Sequence, residues 1–315
     1  MHKKVAVIIL NYERWQETVL CANSIMKGTE QGSHIIIVDN ASGDDSSIKL
    51  HQWVLTQGKG EAPHRITSAS VPDLDWGESV TNGSLRISFL RMQRNGGYAY
   101  GNNAGICLAL EHGADAFWIL NNDTIVDKNA LGAMRRRLFA DDSPGLCGSL
   151  LLYADVKDCV QCCGGGRPNI WTFLSRLRGR NLTREQALAL DAKDVERSLN
   201  FIYGASMMAS RQFYEAVGPL DESLFLYCEE QDWAWRGMKK GFTLAYTPLA
   251  VVWHREGYTS GMSYRRKDMK SQWRLLVSRI RVTLKHHPYA LPFVILGCCY
   301  AGVRLFVKRI FAASC

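Results

Sequence analysis

Val5–Leu10 is an unbroken apolar run rich in β-branched residues, the pattern of a parallel strand buried on both faces. Trp15, Val19, Ala22, Ile25 and Met26 then recur at helical spacing between Arg14 and Lys27. Ile35–Val38 repeats the buried-strand run, and Ser46 to Leu55 reads as a second helix. Strand, helix, strand, helix predicts an α/β sheet. Leu85–Leu90, Ala116–Leu120 and Leu146–Tyr153 read as further strands. Between them, Gly96 to Gly113 reads as a glycine-rich turn feeding a helix, and Ala130–Leu138 as another helix. Apolar order returns at Phe201–Ala209. A helix through Lys240 is capped by Gly241, and short strands follow at Thr243–Tyr246 and Ala250–Trp253, the second ending at His254.

Two stretches interrupt this rhythm. Gln57–Ser84 is rich in Gly, Ser, Pro and Asp and is expected to be a long surface insertion, about residues 57–84. Asp155–Leu199 is polar, with Gly164, Gly165 and Gly166 in a row and a helix-prone stretch near Arg184–Arg197. Lys270–His286 predicts a basic amphipathic helix with Trp273, Leu276, Val277, Ile280 and Leu284 on one stripe. Tyr289–Val303 is uncharged, but it contains Pro292 and falls short of the roughly 20 residues that cross a bilayer. A second amphipathic piece carries Lys308 and Arg309. These patterns predict one domain over residues 1–264 and a basic amphipathic helical tail over 265–315.

Charge sharpens that division. Of 315 residues with a formal net charge of +8, those from Arg265 onward hold eleven Lys/Arg and one acid, Asp268, a net of +10. Residues 1–264 hold 27 Lys/Arg against 29 Asp/Glu, a net of −2. Such a distribution argues against a nucleic-acid enzyme, which needs its basic residues around the site. It fits a tail on an anionic membrane surface, with a helical hairpin packed on the body as the alternative. The scattered cysteines, including Cys159, Cys162 and Cys163, lack a second ligand pair at zinc spacing and read as free thiols of a reduced cytosol.

Ligands of open α/β sheets bind at the C-terminal ends of the strands. Four polar clusters fall there: Asn11-Tyr12, Asp39-Asn40, Asn121-Asn122-Asp123, and Trp253-His254. Asp123 with an adjacent Asn offers hard oxygen ligands for Mg²⁺ or Mn²⁺; an ordinary Asn/Asp turn is the plainer use of the segment. The glycine-rich segment from Arg94 to Asn103 brings N–H groups where an anion can approach. It is not the dinucleotide fingerprint and lies beyond the first βα unit. Glu229, Glu230 and Asp232 crowd together beside Phe225, Tyr227, Trp233 and Trp235, so repulsion and apolar walls can raise one carboxyl toward the range of a general base. Pairing of Arg236 with Asp232 or Glu229 is the structural alternative.

In order, these segments resemble the family-2 glycosyltransferases, especially the rhamnosyltransferase-like branch that builds bacterial surface polysaccharides. The carriers are Val7–Tyr12, Val38–Ser42, Asn95–Gly105, Leu120–Asp123, Gly204-Ala205, Phe225–Asp232 and His254, over roughly residues 4–286. The resemblance implies a GT-A fold: a mixed, mainly parallel central sheet flanked by helices. It implies inverting, metal-dependent transfer from a nucleotide-diphosphate sugar, a dTDP- or UDP-sugar with rhamnose favoured, to a glycan or lipid-linked acceptor. Asp39 matches the carboxylate that binds the pyrimidine base, with Asn11 and Tyr12 in the same pocket. Asn95, Gly97, Asn102, Asn121 and Asn122 complete the expected nucleotide-sugar contacts. Asn121 and Asp123 occupy the ends of the family's Asp-x-Asp metal motif, and His254 matches its late metal-site histidine. Glu230 matches the catalytic base, usually Asp there, with Glu229 and Asp232 holding the loop and the acceptor. Asn121 in place of the first Asp removes a charge from the metal site, and Glu230 is one methylene longer than the usual base. The expected location is the cytoplasmic face of the cell membrane, peripherally bound. A sugar nucleotidyltransferase is the rival enzyme, but the first strand ends in Asn11-Tyr12-Glu13-Arg14 without the glycine-rich triphosphate loop such an enzyme needs. A catalytically inactive membrane scaffold is the non-enzymatic rival.

Overall fold

The computed structural model describes residues 3–28, 33–58, 62–67, 69, 71–255 and 269–297. In chain order the first elements are β1 (Val5–Asn11), α1 (Trp15–Met26), β2 (His34–Asp39), α2 (Ser46–Gln57), β3 (His64–Ile66), β4 (Leu74–Asn82) and β5 (Leu85–Met92). Next come α3 (Tyr98–Glu111), β6 (Ala116–Asn121), β7 (Thr124–Val126), α4 (Ala130–Leu138), β8 (Leu146–Tyr153), β9 (Val160–Cys163), β10 (Gly165–Pro168) and β11 (Ser175–Leu177). The rest are α5 (Arg184–Leu188), α6 (Ala192–Ser198), β12 (Phe201–Ile202), β13 (Ser206–Ser210), α7 (Arg211–Val217), α8 (Glu229–Lys239), β14 (Leu244–His254) and α9 (Met269–His286).

An 11-stranded sheet runs in the order β3-β4-β5-β2-β1-β6-β13-β8-β14-β7, with β9 paired to β8. Its inner strands β5, β2, β1 and β6 are parallel, which is why their runs are apolar throughout: Val5 to Ile9 and Ile35 to Val38 are all buried. The sheet is mixed, as expected: these four strands and the β8–β14 pair are parallel, and β4, β13 and β7 join antiparallel. One apolar core packs α3 against the sheet and a second packs α1, α2 and α4. Glycine sets the approach of α3 to β1: a Cβ on Gly101 would lie 2.2 Å from Leu10 Cδ1, and one on Gly105 would lie 2.6 Å from Ile8 Cγ2.

Three sequence expectations change here. The segment around 57–84 is not a surface insertion: β4 pairs with β5 along most of its length and extends the main sheet. Its polar and small residues are largely covered all the same: of β4 only Asp75 is exposed. The two short strands expected between Thr243 and Trp253 are one strand, β14, whose register shifts between Thr247 and Val251. The tail helix α9 forms as expected but turns its small polar face inward. Ser271, Ser278, Val282 and Thr283 are buried, while Trp273 is 66% exposed. Val282 and Val294 share a third core with Phe173, Leu224, Cys228 and Trp235. The second amphipathic piece expected beyond Arg304 lies outside the described residues.

Candidate active site

Strand register gathers the polar ends. Asn11 stands opposite Asp39, Asp39 opposite Arg91, and Leu10 opposite Asn121. Asp39 is fully buried. Its Oδ1 accepts from Asn11 Nδ2 at 2.8 Å and from the Ser42 hydroxyl, and its Oδ2 accepts from the Ser42 N–H at 3.1 Å. Asn11 Oδ1 accepts from Thr18 Oγ1 at 2.8 Å, and Thr18 Oγ1 accepts from Asn122 Nδ2 at 3.1 Å. Asn11, Asp39 and Asn122 thus form the frame of the site. Its open edge is Tyr12, exposed, with Arg91 and Asn95. Arg91 Nη1 lies 3.8 Å from Asp39 Oδ2 and its Nε donates to Asp75 Oδ2 at 3.2 Å. Burial first, then Glu13, raises the Tyr12 phenol above its ordinary range, against a lowering hydrogen bond with Asn95.

The glycine-rich turn is held by side chains rather than left open. Asn40 Nδ2 donates to Asn95 Oδ1 and to the Gly97 carbonyl, both at 3.0 Å, and the Gly97 N–H donates to Asn95 Oδ1 at 3.1 Å. Asn40 Oδ1 is buried without a partner. The Tyr98 N–H donates to the Phe225 carbonyl at 2.9 Å. The Gly97 and Tyr98 N–H groups are therefore engaged by protein rather than poised for an anion. Asn102 is fully buried, its Nδ2 donating to the Tyr98 carbonyl at 2.9 Å. Gly97 has φ 93°, and a Cβ there would lie 2.1 Å from the Phe225 oxygen, so only glycine seats the 225 loop this closely.

That loop enters α8 through two consecutive left-handed residues, Tyr227 (φ 77°) and Cys228 (φ 72°). Such conformations cost about 1–3 kcal/mol each and concentrate at functional sites. They turn Glu229 inward, where it is buried, and leave Glu230 half-buried. Burial, then the neighbouring Glu230, push the Glu229 carboxyl well above the usual carboxylate range. Glu230 faces Gly204: a Cβ at Gly204 would lie 3.8 Å from Glu230 Oε2 and 3.4 Å from Tyr98 Oη. Tyr98 donates its hydroxyl to the Gly204 carbonyl at 2.7 Å; burial, then Glu230 and Glu229, keep that phenol protonated. Asp232, by contrast, points away. It is fully buried and accepts from Arg236 Nε and His286 Nε2 at 2.8 Å, with Lys285 Nζ at 2.9 Å. Burial alone would raise its pKa, but His286, Arg236 and Lys285 together hold it well below the usual range. Asp232 therefore ties α8 to α9.

Across Gly204 lies the candidate metal centre. The Asn121 N–H donates to the Ala205 carbonyl at 3.1 Å, and the Arg255 N–H to the Asp123 carbonyl at 3.0 Å. His254 at the end of β14 pairs with Thr124. His254 Nε2 is 3.3 Å from Asp123 Oδ1 and 3.5 Å from Asn121 Nδ2. Its Nδ1 is 2.8 Å from Oε1 of the fully buried Gln161. An amide oxygen only accepts, so Nδ1 carries a proton, and the neutral ring then turns its Nε2 lone pair toward Asp123. Two Lewis bases facing each other at that distance suit a hard divalent cation. Among the described residues no group of three or more His, Cys, Asp or Glu side chains is placed to hold a metal ion, so such an ion would take its remaining ligands from substrate oxygens, water and Asn121.

Sequence reasoning missed Gln161, Arg91 and the supporting role of Asp73 and Asp75. Gln161 stands inside the Cys159–Cys163 group, a lone amide on an otherwise apolar strand. Asp73 accepts from Tyr100 Oη at 3.3 Å and from Arg94 Nη2 at 3.5 Å, so the segment expected to be an insertion props the site.

The sequence matches no protein-family model and no curated protein. Solved structures do resemble it. GalNAc-T7 with UDP, GalNAc and Mn²⁺ aligns at a TM-score of 0.61 and 15% identity, covering 89% of this chain and 47% of that one. This chain thus spans about half of that protein's length. The mannosyltransferase PcManGT of Pyrobaculum calidifontis, with GDP-Man and Mn²⁺, aligns at 0.56 and 14% identity over 100% of this chain and 80% of that one. S. aureus TarS 1-349 aligns at 0.50 and 9% identity, covering 93% and 70%. The fold is that of the GT-A glycosyltransferases.

Proposed function

We propose that this chain is an inverting glycosyltransferase. It moves a sugar from a nucleotide-diphosphate donor to a hydroxyl of a glycan or lipid-linked acceptor in cell-envelope polysaccharide synthesis. The observation that carries the reading is the Gly204-Ala205 pair. Gly204 lies against Glu230, and the Ala205 carbonyl holds the strand end that leads to Asp123. One dipeptide thus spaces a carboxylate from a metal-suited pair, as one-step displacement requires.

In this reading Glu230 takes the acceptor proton as the hydroxyl oxygen bonds to the anomeric carbon and the carbon–oxygen bond to the diphosphate breaks. The configuration inverts because the base and the leaving group lie on opposite faces. Bound to Asp123 and His254, Mg²⁺ or Mn²⁺ would supply Lewis-acid neutralisation of the leaving diphosphate. Tyr12, Arg91 and Asn95 meet the nucleotide, with Asp39, Asn11 and Asn122 holding that edge in place. The sequence motifs favour dTDP-rhamnose as the first donor to try, with UDP-sugars next. The basic tail places the enzyme at a membrane face; no helix among the described residues is long and apolar enough to cross one.

Mass spectrometry of reactions with dTDP- and UDP-sugars tests the activity. Glu230→Gln is expected to lower transfer by about 10²–10⁴-fold, the usual contribution of a general base, with nucleotide affinity within a few-fold of wild type. Wild-type turnover in that variant would remove Glu230 from the mechanism.

A further inference from the structure

Summing charge over the whole body conceals a basic face. From Cys159 to Arg184 there is no acidic residue and there are five arginines. The hairpin of β10 and β11 sets two of them side by side: Arg167 pairs directly with Arg176 across antiparallel strands. Like charges opposed in this way destabilise a sheet unless an anion lies between them. Arg178 follows two residues after Arg176, in the turn that leaves β11. With Arg167 and Arg180 they line a cleft of about 470 Å³ that has no acidic residue in its wall.

Arg167 also borders a neighbouring cleft of about 570 Å³, again without an acidic wall residue, that leads to Trp171. There the surface becomes apolar. The Trp171 ring meets those of Tyr289 and Phe293 at 5.7 and 5.2 Å. Trp171, Leu174, Tyr289, Phe293 and Leu296 are each between 44% and 66% exposed. Exposed apolar and aromatic side chains of this size, next to arginine-lined clefts without acidic wall residues, match the two layers of a lipid headgroup region: acyl boundary and phosphate.

We propose that the β10–β11 hairpin and residues 288–297 form one docking face for an anionic phospholipid surface. The arginines take lipid phosphates, and Trp171, Tyr289 and Phe293 enter the interface. The inference rests on the reading that the chain works at a membrane, but it assigns the contact to the catalytic body as well as to the tail. Arg167 and Lys239, which border one cleft, would then face the headgroups at the end of α8 opposite Glu230.

Vesicle co-sedimentation of the full chain tests it, with phosphatidylglycerol–phosphatidylcholine and pure phosphatidylcholine vesicles. The double variant Arg176→Gln/Arg178→Gln is expected to lose about 10–30-fold in partition to the anionic vesicles, the scale for two cations leaving such a surface. Arg176→Lys/Arg178→Lys should stay within about two-fold, since a lipid phosphate reads charge. Melting temperature and UDP binding of the variants check that the fold and nucleotide site are intact. Unchanged partition in the Gln variant would overturn the proposal, even where truncation from Tyr289 releases the protein and so upholds the tail. Equal binding of wild type to neutral vesicles would overturn it too. So would capture of soluble polyphosphate at these arginines with no loss of vesicle binding in the Gln variant. None of these outcomes bears on glycosyl transfer, which the donor assay reads separately.

Discussion

Asn11, Asp39, Ser42, Thr18 and Asn122 hold one another at the strand ends through short, buried hydrogen bonds. The chain entering α8 is held differently, by two left-handed residues, a close glycine contact and a carboxyl whose pKa is pushed up. The first region is a rigid frame whose polar groups satisfy each other, and it suits a donor that must be fixed in one pose. The second stores strain and keeps one carboxyl in an unfavourable place, as a group that must trade a proton often does. Asp232 shows that acidity alone does not mark the second kind. Three residues from Glu229 on the same helix, it is fully paired and acts as an anchor.

The contrast within α8 gives the largest expected effect. Asp232→Asn removes the buried charge that Arg236, His286 and Lys285 share, while Lys285 keeps Asp221 and Arg236 keeps two carbonyls, and should cost about 1–3 kcal/mol at neutral pH. The depressed Asp232 contributes its stability above the unfolded carboxylate range and loses it as pH falls. The gap between wild type and variant in urea melts should therefore narrow below about pH 4. A gap that widens in acid would reverse the assignment of the two carboxyls.

Gln161→Leu attacks the frame instead, by removing the acceptor that fixes the His254 tautomer. Mn²⁺ affinity, measured by calorimetry without substrate, should fall about 10–100-fold, the usual effect of losing such a partner. Unchanged affinity would mean that His254 does not face the ion.

Glu229→Gln is the smallest change, because an amide nearly matches a protonated carboxyl. The raised Glu229 carboxyl loses stability to the unfolded chain as pH climbs above about 4.3, where the unfolded side chain ionises first. The variant should then melt higher than wild type, by a margin that opens between pH 4 and neutrality. A constant margin would show that Glu229 ionises normally.

The same contrast explains what the amino-acid pattern disclosed. The inner strands were legible because burial on both faces leaves only apolar residues, and the end of β1 at Asn11, β2 at Asp39 and β6 at Asn121 followed directly. The segment containing β4 was not legible. Two of its buried positions are Gly77 and Ser79 rather than large apolar side chains, and its register with β5 shifts between Leu74 and Trp76. Gln161 was hidden because its partner lies 93 positions away. The direction of α9 was hidden because polar contacts join Val282 in holding it to the body: Ser278 donates to the Leu226 carbonyl at 3.0 Å, and Lys285 and His286 reach Asp232. The arginine hairpin escaped because its charge cancels in a sum over the body. Residue types could nominate Asp39, Glu230 and Asp232, but only the hydrogen bonds assign Asp39 to the frame and Asp232 to the tail.

The most direct test of the account is a thermal-shift titration of the full chain with UDP, dTDP and GDP, each in Mn²⁺ and in EDTA. The account predicts stabilisation by a pyrimidine diphosphate that needs Mn²⁺ and disappears in Asp123→Ala. No shift with any nucleotide, or an equal shift in EDTA and in Asp123→Ala, would contradict it.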